Sequence, residues 1–309
     1  MQGPSSAYRT LKDVPRPDNL RPGSPLCPGC GGEISLRLAL KALGARTIVV
    51  HVPGCFGPLS LYPYAAITNS MLFSPFASAP AVAQGLVDGI QSRVAKGRLE
   101  DPGSKVLVLT GDGAAYDIGL QSTSGAIHRG LDFYYLCYDN EANGNTGFQY
   151  SSSTPYGSWT STTQAKGTTF GNDLRKKDLF EIWRAHKPPY AATLAVSRPV
   201  DFLKKFEKAT KIAGPRLFVA MSVCPTGWGS SPSETVKVDR LAVESGLWPL
   251  KEAIDGVVTH TYVPRKRIPV RDYLQKQRRY DHLFRPKENA EVLKRIQDDV
   301  DAYWAGIAP

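Results

Sequence analysis

No run of about 18 uncharged apolar residues occurs in this chain, which excludes an ordinary membrane-spanning helix. The opening segment, MQGPSSAYRTLKDVPRPDNLRPGSP, has no apolar stretch of the kind a secretory leader carries, so a cytoplasmic protein is expected. Cysteine is scarce, with Cys27, Cys30, Cys55, Cys137 and Cys224 only. In a cytosolic chain that argues against a disulfide framework, and each thiol then needs a metal, redox or core explanation. No nucleic-acid-binding motif accompanies the net charge of +10. The charge is not concentrated in an aromatic-interleaved binding module; its densest run (Arg265, Lys266, Arg267, then Arg271, Lys276, Arg278 and Arg279) reads as a solvated or subunit-facing tail. A basic surface also suits acidic electron carriers or anionic substrates.

What is present is an alternation of helix and strand. The Pro- and Gly-rich stretch 1–26 reads as an extended arm without a core of its own. The spacing of apolar residues then predicts helices over 33–43, 79–96, 115–128, 174–185 and 200–212. Apolar, β-branched runs predict strands over 47–52, 105–109, 133–138, 190–196 and 216–223. Nearly continuous apolar strands separated by helices indicate a mostly parallel, doubly wound α/β sheet buried on both faces. The main domain is expected over 27–255, followed by a basic, subunit-contacting extension over 256–309. Chemically unusual residues fall just after strands: Cys55, Asp112, Asn140 and Cys224. In open α/β sheets that edge is where ligands bind, at the point where strand order reverses.

Gly111-Asp112-Gly113 follows a strand and precedes a helix, a place suited to phosphate. Asp112 offers a hard carboxylate oxygen for magnesium, which commonly binds one or two protein oxygens together with phosphate oxygens. After the next strand comes Asp139-Asn140-Glu141-Ala142-Asn143-Gly144-Asn145-Thr146-Gly147. An Asn carbonyl and a backbone carbonyl there can complete a magnesium shell. The pairing of the two segments resembles the thiamine-diphosphate signature. On that resemblance Asp112, Asn140 and the Ala142 carbonyl hold Mg2+, with Gly111, Gly113, Asn145, Thr146 and Gly147 also at the cofactor.

Cys27-Pro28-Gly29-Cys30 precedes a helix, whereas Cys55 and Cys224 follow strands in Gly- and Pro-rich loops. Four such thiolates at one sheet edge suit either zinc or a [4Fe–4S] cluster. Thiamine chemistry nearby favours the cluster, because zinc accepts no electrons. Cys137 lies inside a strand and reads as a small core hydrophobe. His51 and the aromatic stretch Phe73 to Phe76 read as packing residues, and His128 as a surface residue at a helix C-terminus.

Taken together, these motifs resemble the β subunit of the 2-oxoacid:ferredoxin oxidoreductases, the family of pyruvate synthase. The resemblance extends through Gln149, Ser151, Thr154-Pro155-Tyr156-Gly157, Cys224-Pro225-Thr226-Gly227-Trp228, Gly246-Leu247-Trp248-Pro249-Leu250, Asp272-Tyr273-Leu274, Gln277, Arg279 and Tyr280. It implies a fold of the thiamine-diphosphate-binding type. It also implies oxidative decarboxylation, with the thiazolium as electron sink and electrons leaving singly to a cluster on Cys27, Cys30, Cys55 and Cys224. A partner α subunit would supply the glutamate that activates the cofactor, so neither Glu33 nor Glu141 takes that role. A ferredoxin-like γ/δ subunit would relay electrons to ferredoxin, in a dimer of heterotrimers. The chain alone is expected to be inactive.

One departure stands out. Asn143-Gly144 occupies the place where pyruvate-type members read Tyr-Met or similar. A short amide beside the cofactor can donate to a second carboxylate, a bond worth roughly 1.5–3 kcal/mol to a charged group. Asn143 is therefore the expected catalytic residue, and the oxalate oxidoreductase branch is the nearest resemblance, with oxalate cleaved to two CO2 and no coenzyme A. The alternative is a pyruvate:ferredoxin oxidoreductase subunit that uses coenzyme A. A non-oxidative thiamine enzyme and a structural zinc protein are the other classes to separate.

Overall fold

The computed structural model describes residues 6–63 and 65–307. The first turns of the main domain follow from simple patterns. Helix α1 (Gly31–Leu43) buries Leu36, Leu40 and Leu43 on one stripe, and Gly44 at φ +88° ends it by donating to the Leu40 carbonyl. Strand β1 (Thr47–His51) is followed by the short β2 (Met71–Phe73), helix α2 (Ala79–Ala95), β3 (Lys105–Gly111), helix α3 (Leu120–His128) and β4 (Tyr134–Asp139). Then come α4 (Leu179–Ala185), β5 (Tyr190–Leu194), α5 (Pro199–Ala209), β6 (Arg216–Met221), α6 (Pro225–Trp228) and α7 (Thr235–Glu244). The chain closes with β7 (Leu250–Ile254), β8 (Val257–Tyr262), α8 (Val270–Leu274) and α9 (Ala290–Trp304).

Among the described residues the strands form an eight-stranded sheet in the order β2-β1-β3-β4-β6-β5-β7-β8. The first six are parallel, and β7 and β8 join antiparallel. Both faces are covered. Val49, Leu107, Leu136 and Phe218 meet α1 and α5 on one side, where Phe206 stacks on Phe218 at 4.1 Å. Val50, Val108, Tyr135 and Val219 meet Trp183, Val238 and Trp304 on the other. Cys137 belongs to that second core and is fully buried, as its place in a strand suggested. Strand order reverses between β1 and β3, so the crevice beyond their C-terminal ends is the switch point at which such sheets bind ligands.

Three expectations need correction. The helix expected over 115–128 is two pieces. Gly113–Ile118 forms a wider π turn, closed by the Gly119 N–H on the Ala114 carbonyl, and α3 starts only at Leu120. The helix expected from residue 174 starts at Leu179, because Asp178 caps it by accepting from the Glu181 N–H at 3.1 Å. The boundary drawn at 255 falls inside a hairpin. Asp255 (φ +50°) and Gly256 (φ +82°) form its turn, and β8 extends the same sheet. Asp-Gly between two strand-like runs was the available signal. Lys251 and Glu252 within β7 masked it, since both are charged yet buried, Lys251 pairing with Glu181 at 3.1 Å.

The two terminal segments lie against the domain. In the arm, residues 1–5 lie outside the described residues; Leu20 pairs with Ile67, and Lys41 Nζ donates to the Pro15 and Pro17 carbonyls at 2.7 and 2.8 Å. Residues 308–309 of the basic extension are likewise undescribed. The rest of that extension packs one apolar face on the domain, with Tyr273, Leu274, Tyr280, Ile296, Val300 and Trp304 buried; of the basic run only Arg279 is enclosed, and Arg265, Lys266, Arg271, Lys276 and Arg278 are exposed.

Candidate active site

The loops after β1, β3, β4 and β6 meet at the switch point. Gly111-Asp112-Gly113 turns tightly there because Tyr138 and Asn143 leave no room for side chains. A Cβ on Gly111 would stand 3.1 Å from the Tyr138 ring, and one on Gly113 would collide with Asn143 Oδ1 at 1.9 Å. Asp112 is buried, and Ser151 Oγ donates to its Oδ2. Burial, then the charge of Asp139, pushes the Asp112 carboxyl well above the usual range. A cleft lined by residues 53–55, Phe76, 111–114, Tyr138, Asn140 and 142–146 opens beside it. Gly147 lies outside that lining; its φ of +115° serves the turn that brings the chain back to Gln149.

The β4 loop is held by a buried charge network that the sequence did not reveal. Asp139 accepts from Tyr116 Oη at 2.6 Å, Lys176 Nζ at 2.9 Å and Ser153 Oγ. Glu141, at φ +65°, accepts from Lys176 at 2.8 Å and Arg279 Nη2 at 2.5 Å. Burial pushes the Glu141 carboxyl up, but Lys176 and Arg279 outweigh it and hold it below the usual range. Arg279 also lies over the Trp228 ring at 3.8 Å, and Trp228 Nε1 donates to the Asn140 carbonyl at 2.9 Å. Asn140 is thus clamped on both sides by paired charges. A larger cavity beyond this network touches Tyr116, Glu141, Lys176, Trp248 and Lys251. Its charged groups are already paired with one another or with Asp117, Asp139 and Glu181, so the smaller cleft is the better candidate.

The clamp places three oxygen-bearing groups together. The inner end of the Asn140 amide lies 2.8 Å from Asp112 Oδ1 and 2.6 Å from the Ala142 carbonyl oxygen. With its oxygen turned inward, three oxygens face one another. A Mg–O distance of 2.0–2.1 Å puts adjacent octahedral oxygens roughly 3 Å apart, so this cradle fits magnesium. Asn143 lines the cleft; one N–H of its Nδ2 donates to the Tyr150 carbonyl at 2.8 Å and its backbone pairs with Gln149, so the side chain also braces the loop.

Cys55 borders the same cleft, with Sγ at 3.9 Å from Asn140 Nδ2. The Cys30 and Cys224 segments are tied by the Gly31 N–H on the Val223 carbonyl at 3.0 Å, and Cys224 Sγ accepts from the Gly227 N–H at 3.3 Å. Burial first, then the neighbouring thiols, pushes Cys30 and Cys55 up to about 12 each; Cys27, Cys30 and Cys224 all act on Cys55. Among the described residues no three His, Cys, Asp or Glu converge on a point that would hold a single metal ion. His51 is buried against Phe73 (5.1 Å between ring centres) with neither ring nitrogen partnered among the described residues, and burial pushes its pKa down.

Such a sheet, with the Gly111-Asp112-Gly113 turn and the Asn140 loop meeting at its switch point, is of the kind found in thiamine-diphosphate-binding enzyme domains. The family described as thiamine pyrophosphate enzyme, C-terminal TPP binding domain, matches residues 54–220. The pyruvate synthase subunit PorB of Methanocaldococcus jannaschii is 41% identical over 94% of this chain and 97% of its own length. The ketoisovalerate oxidoreductase subunit VorB of Pyrococcus abyssi is 38% identical over 96% of this chain and 94% of its own. A 2-oxoglutarate:ferredoxin oxidoreductase from Magnetococcus marinus shares the fold, with a TM-score of 0.53 at 20% identity over 72% of this chain and 79% of that one. The chain belongs to the PorB/VorB family, the β subunits of the 2-oxoacid:ferredoxin oxidoreductases, and is an oxidoreductase subunit that binds thiamine diphosphate. Among the described residues no helix is long and apolar enough to cross a membrane.

Proposed function

We propose that this chain is the cofactor-holding subunit of a pyruvate-type 2-oxoacid:ferredoxin oxidoreductase that uses coenzyme A. The observation that carries the reading is the oxygen cradle of Asp112, Asn140 and Ala142, set in one cleft with Cys55. Asp112, Asn140 and the Ala142 carbonyl hold Mg2+, and Gly111, Gly113, Asn145 and Thr146 border the diphosphate. Cys27, Cys30, Cys55 and Cys224 hold one [4Fe–4S] cluster. When bound, the thiamine supplies the electron sink for decarboxylation and the cluster a one-electron acceptor. The α subunit brings the activating glutamate, a ferredoxin-like γ/δ subunit continues the electron path, and ferredoxin receives the electrons.

Oxalate has weaker support. It rests on the Asn143 amide beside the cofactor, which gives one of its two N–H groups to Tyr150 and turns its oxygen toward Gly113. The similar chains quoted above act, by name, on pyruvate and ketoisovalerate. Viologen reduction by the whole anaerobic complex decides between the substrates. Pyruvate with coenzyme A should outperform both oxalate and 2-oxoisovalerate; faster turnover of oxalate without coenzyme A would restore the oxalate reading.

Ser151 offers a quieter test. Its hydroxyl fixes Asp112 Oδ2 and so directs Oδ1 toward the cradle. Partners of this outer kind commonly contribute 10–100-fold in metal affinity. Ser151→Ala should weaken Mg2+-dependent thiamine diphosphate binding by roughly that factor, measured by calorimetric titration of the complex. Unchanged affinity would remove Ser151 from the site.

A further inference from the structure

The Asn140 amide stands between two sets of groups assigned above to different cofactors. Its inner end faces Asp112 Oδ1 and the Ala142 oxygen, and its outer end lies 3.9 Å from Cys55 Sγ. An amide has one donor end and one acceptor end, so it cannot meet both neighbours in the same way. The amide stands with its oxygen inward, where it also accepts from the Ala142 N–H at 3.4 Å, and its nitrogen toward Cys55; turned over, in the absence of a cation, the nitrogen would donate to both inward oxygens at 2.8 and 2.6 Å and leave the oxygen facing sulfur. With a cation among the oxygens, the amide oxygen must point inward as a ligand, and the N–H is delivered to Cys55. Only the last side-chain torsion has to turn. The Asn140 carbonyl stays on Trp228, and the flanking Asp139 and Glu141 stay on Lys176 and Arg279. Gly144 keeps the space open: a Cβ there would stand 3.0 Å from Nδ2 and 3.5 Å from Cys55 Sγ.

We propose that Asn140 is a positioning residue whose amide orientation couples the two sites: divalent metal at the Asp112–Ala142 oxygens turns its N–H onto the Cys55 sulfur. This rests on the reading of the four cysteines as a cluster site. Hydrogen bonds to cluster sulfurs are among the groups that set its reduction potential. An N–H there favours the reduced, more negative state. Metal on the amide oxygen polarises the group and strengthens that bond. The cluster is therefore the better electron acceptor when the diphosphate site is loaded.

The test uses the anaerobically purified full complex with asparagine 15N labelling. Iron, sulfide and thiamine contents come first; absence of iron and sulfide would sink the cluster reading and the coupling together. With the cluster present, pulsed EPR of its reduced form should show a 15N amide coupling in the Mg2+-loaded complex. That coupling should vanish on chelating Mg2+ and in Asn140→Asp, which keeps an inward oxygen but has no N–H to offer. The midpoint potential of Asn140→Asp should fall, by an amount equivalent to about a tenfold change in the oxidised-to-reduced ratio, or about 59 mV for one electron. Gly144→Ala, which crowds the amide, should weaken the coupling without adding charge. A 15N coupling that is missing from the loaded complex, or unaffected by Mg2+, would overturn the coupling while leaving the cluster reading intact.

Discussion

Asp112→Ala is expected to leave a folded complex that no longer retains thiamine diphosphate and reduces no viologen. The carboxylate is the charged member of the oxygen cradle. Its loss should exceed the roughly 10–100-fold effect of altering an outer partner such as Ser151. Stability should move the other way. The buried Asp112 carboxyl is disfavoured as an anion by burial and by Asp139, so in metal-free protein its removal relieves an unfavourable group. The metal-free variant should therefore unfold at the same temperature as the metal-free parent or a higher one. Thiamine affinity within tenfold of the parent, at saturating Mg2+, would refute the assignment of Asp112 as a ligand. Loss of both stability and binding would mean instead that Asp112 acts as a structural residue of the turn.

The second large effect is expected at Arg279→Leu. Removing one member of a buried ion pair leaves the other uncompensated, at a cost of about 3–5 kcal/mol. Here Glu141 would keep Lys176 but lose Arg279, whose guanidinium also covers Trp228. For a domain of about 300 residues, with an unfolding entropy of about 2.1 cal/mol/K per residue, that corresponds to a fall of roughly 5–8 °C in the thermal midpoint. Adding Glu141→Gln should recover part of the loss, because the stranded charge is then gone. An additive double variant would show that the two residues do not act as a pair. The pH dependence has a definite sign. Glu141 is held below its ordinary value in the folded chain, so its contribution is present above the unfolded carboxylate pKa. It is lost as pH falls through the lower folded value. Activity should drop in Arg279→Leu as well, because the same pair clamps Asn140.

Much of this site was legible in the sequence. Asp112, Asn140, Cys55 and Cys224 each come just after a strand, and parallel α/β topology carries such residues to one edge whatever the details of packing. The charge network was not legible. Lys176 and Arg279 lie far along the chain from Asp139 and Glu141, in segments whose composition resembles a solvated surface. Burial, not residue type, distinguishes a structural charge from a surface one. Asn143 is a related case: its type suggested an anion donor, and only the tertiary structure shows that one of its two N–H groups is already given to the Tyr150 carbonyl.

By itself the sequence determined the alternation of strand and helix, the sheet edge on which the chemistry gathers, and the residue types able to hold magnesium and thiolate-bound metal. Those properties are local, set by apolar period and by the residues at the C-terminal end of each strand. Only the tertiary structure decided that Asn140 has an oxygen cradle on one side and Cys55 on the other. It alone showed that the C-terminal segment packs an apolar face on the domain and buries Arg279, while its other basic residues stay at the surface. Both depend on which distant segments meet, and non-local contact leaves no mark in the local pattern from which elements are read.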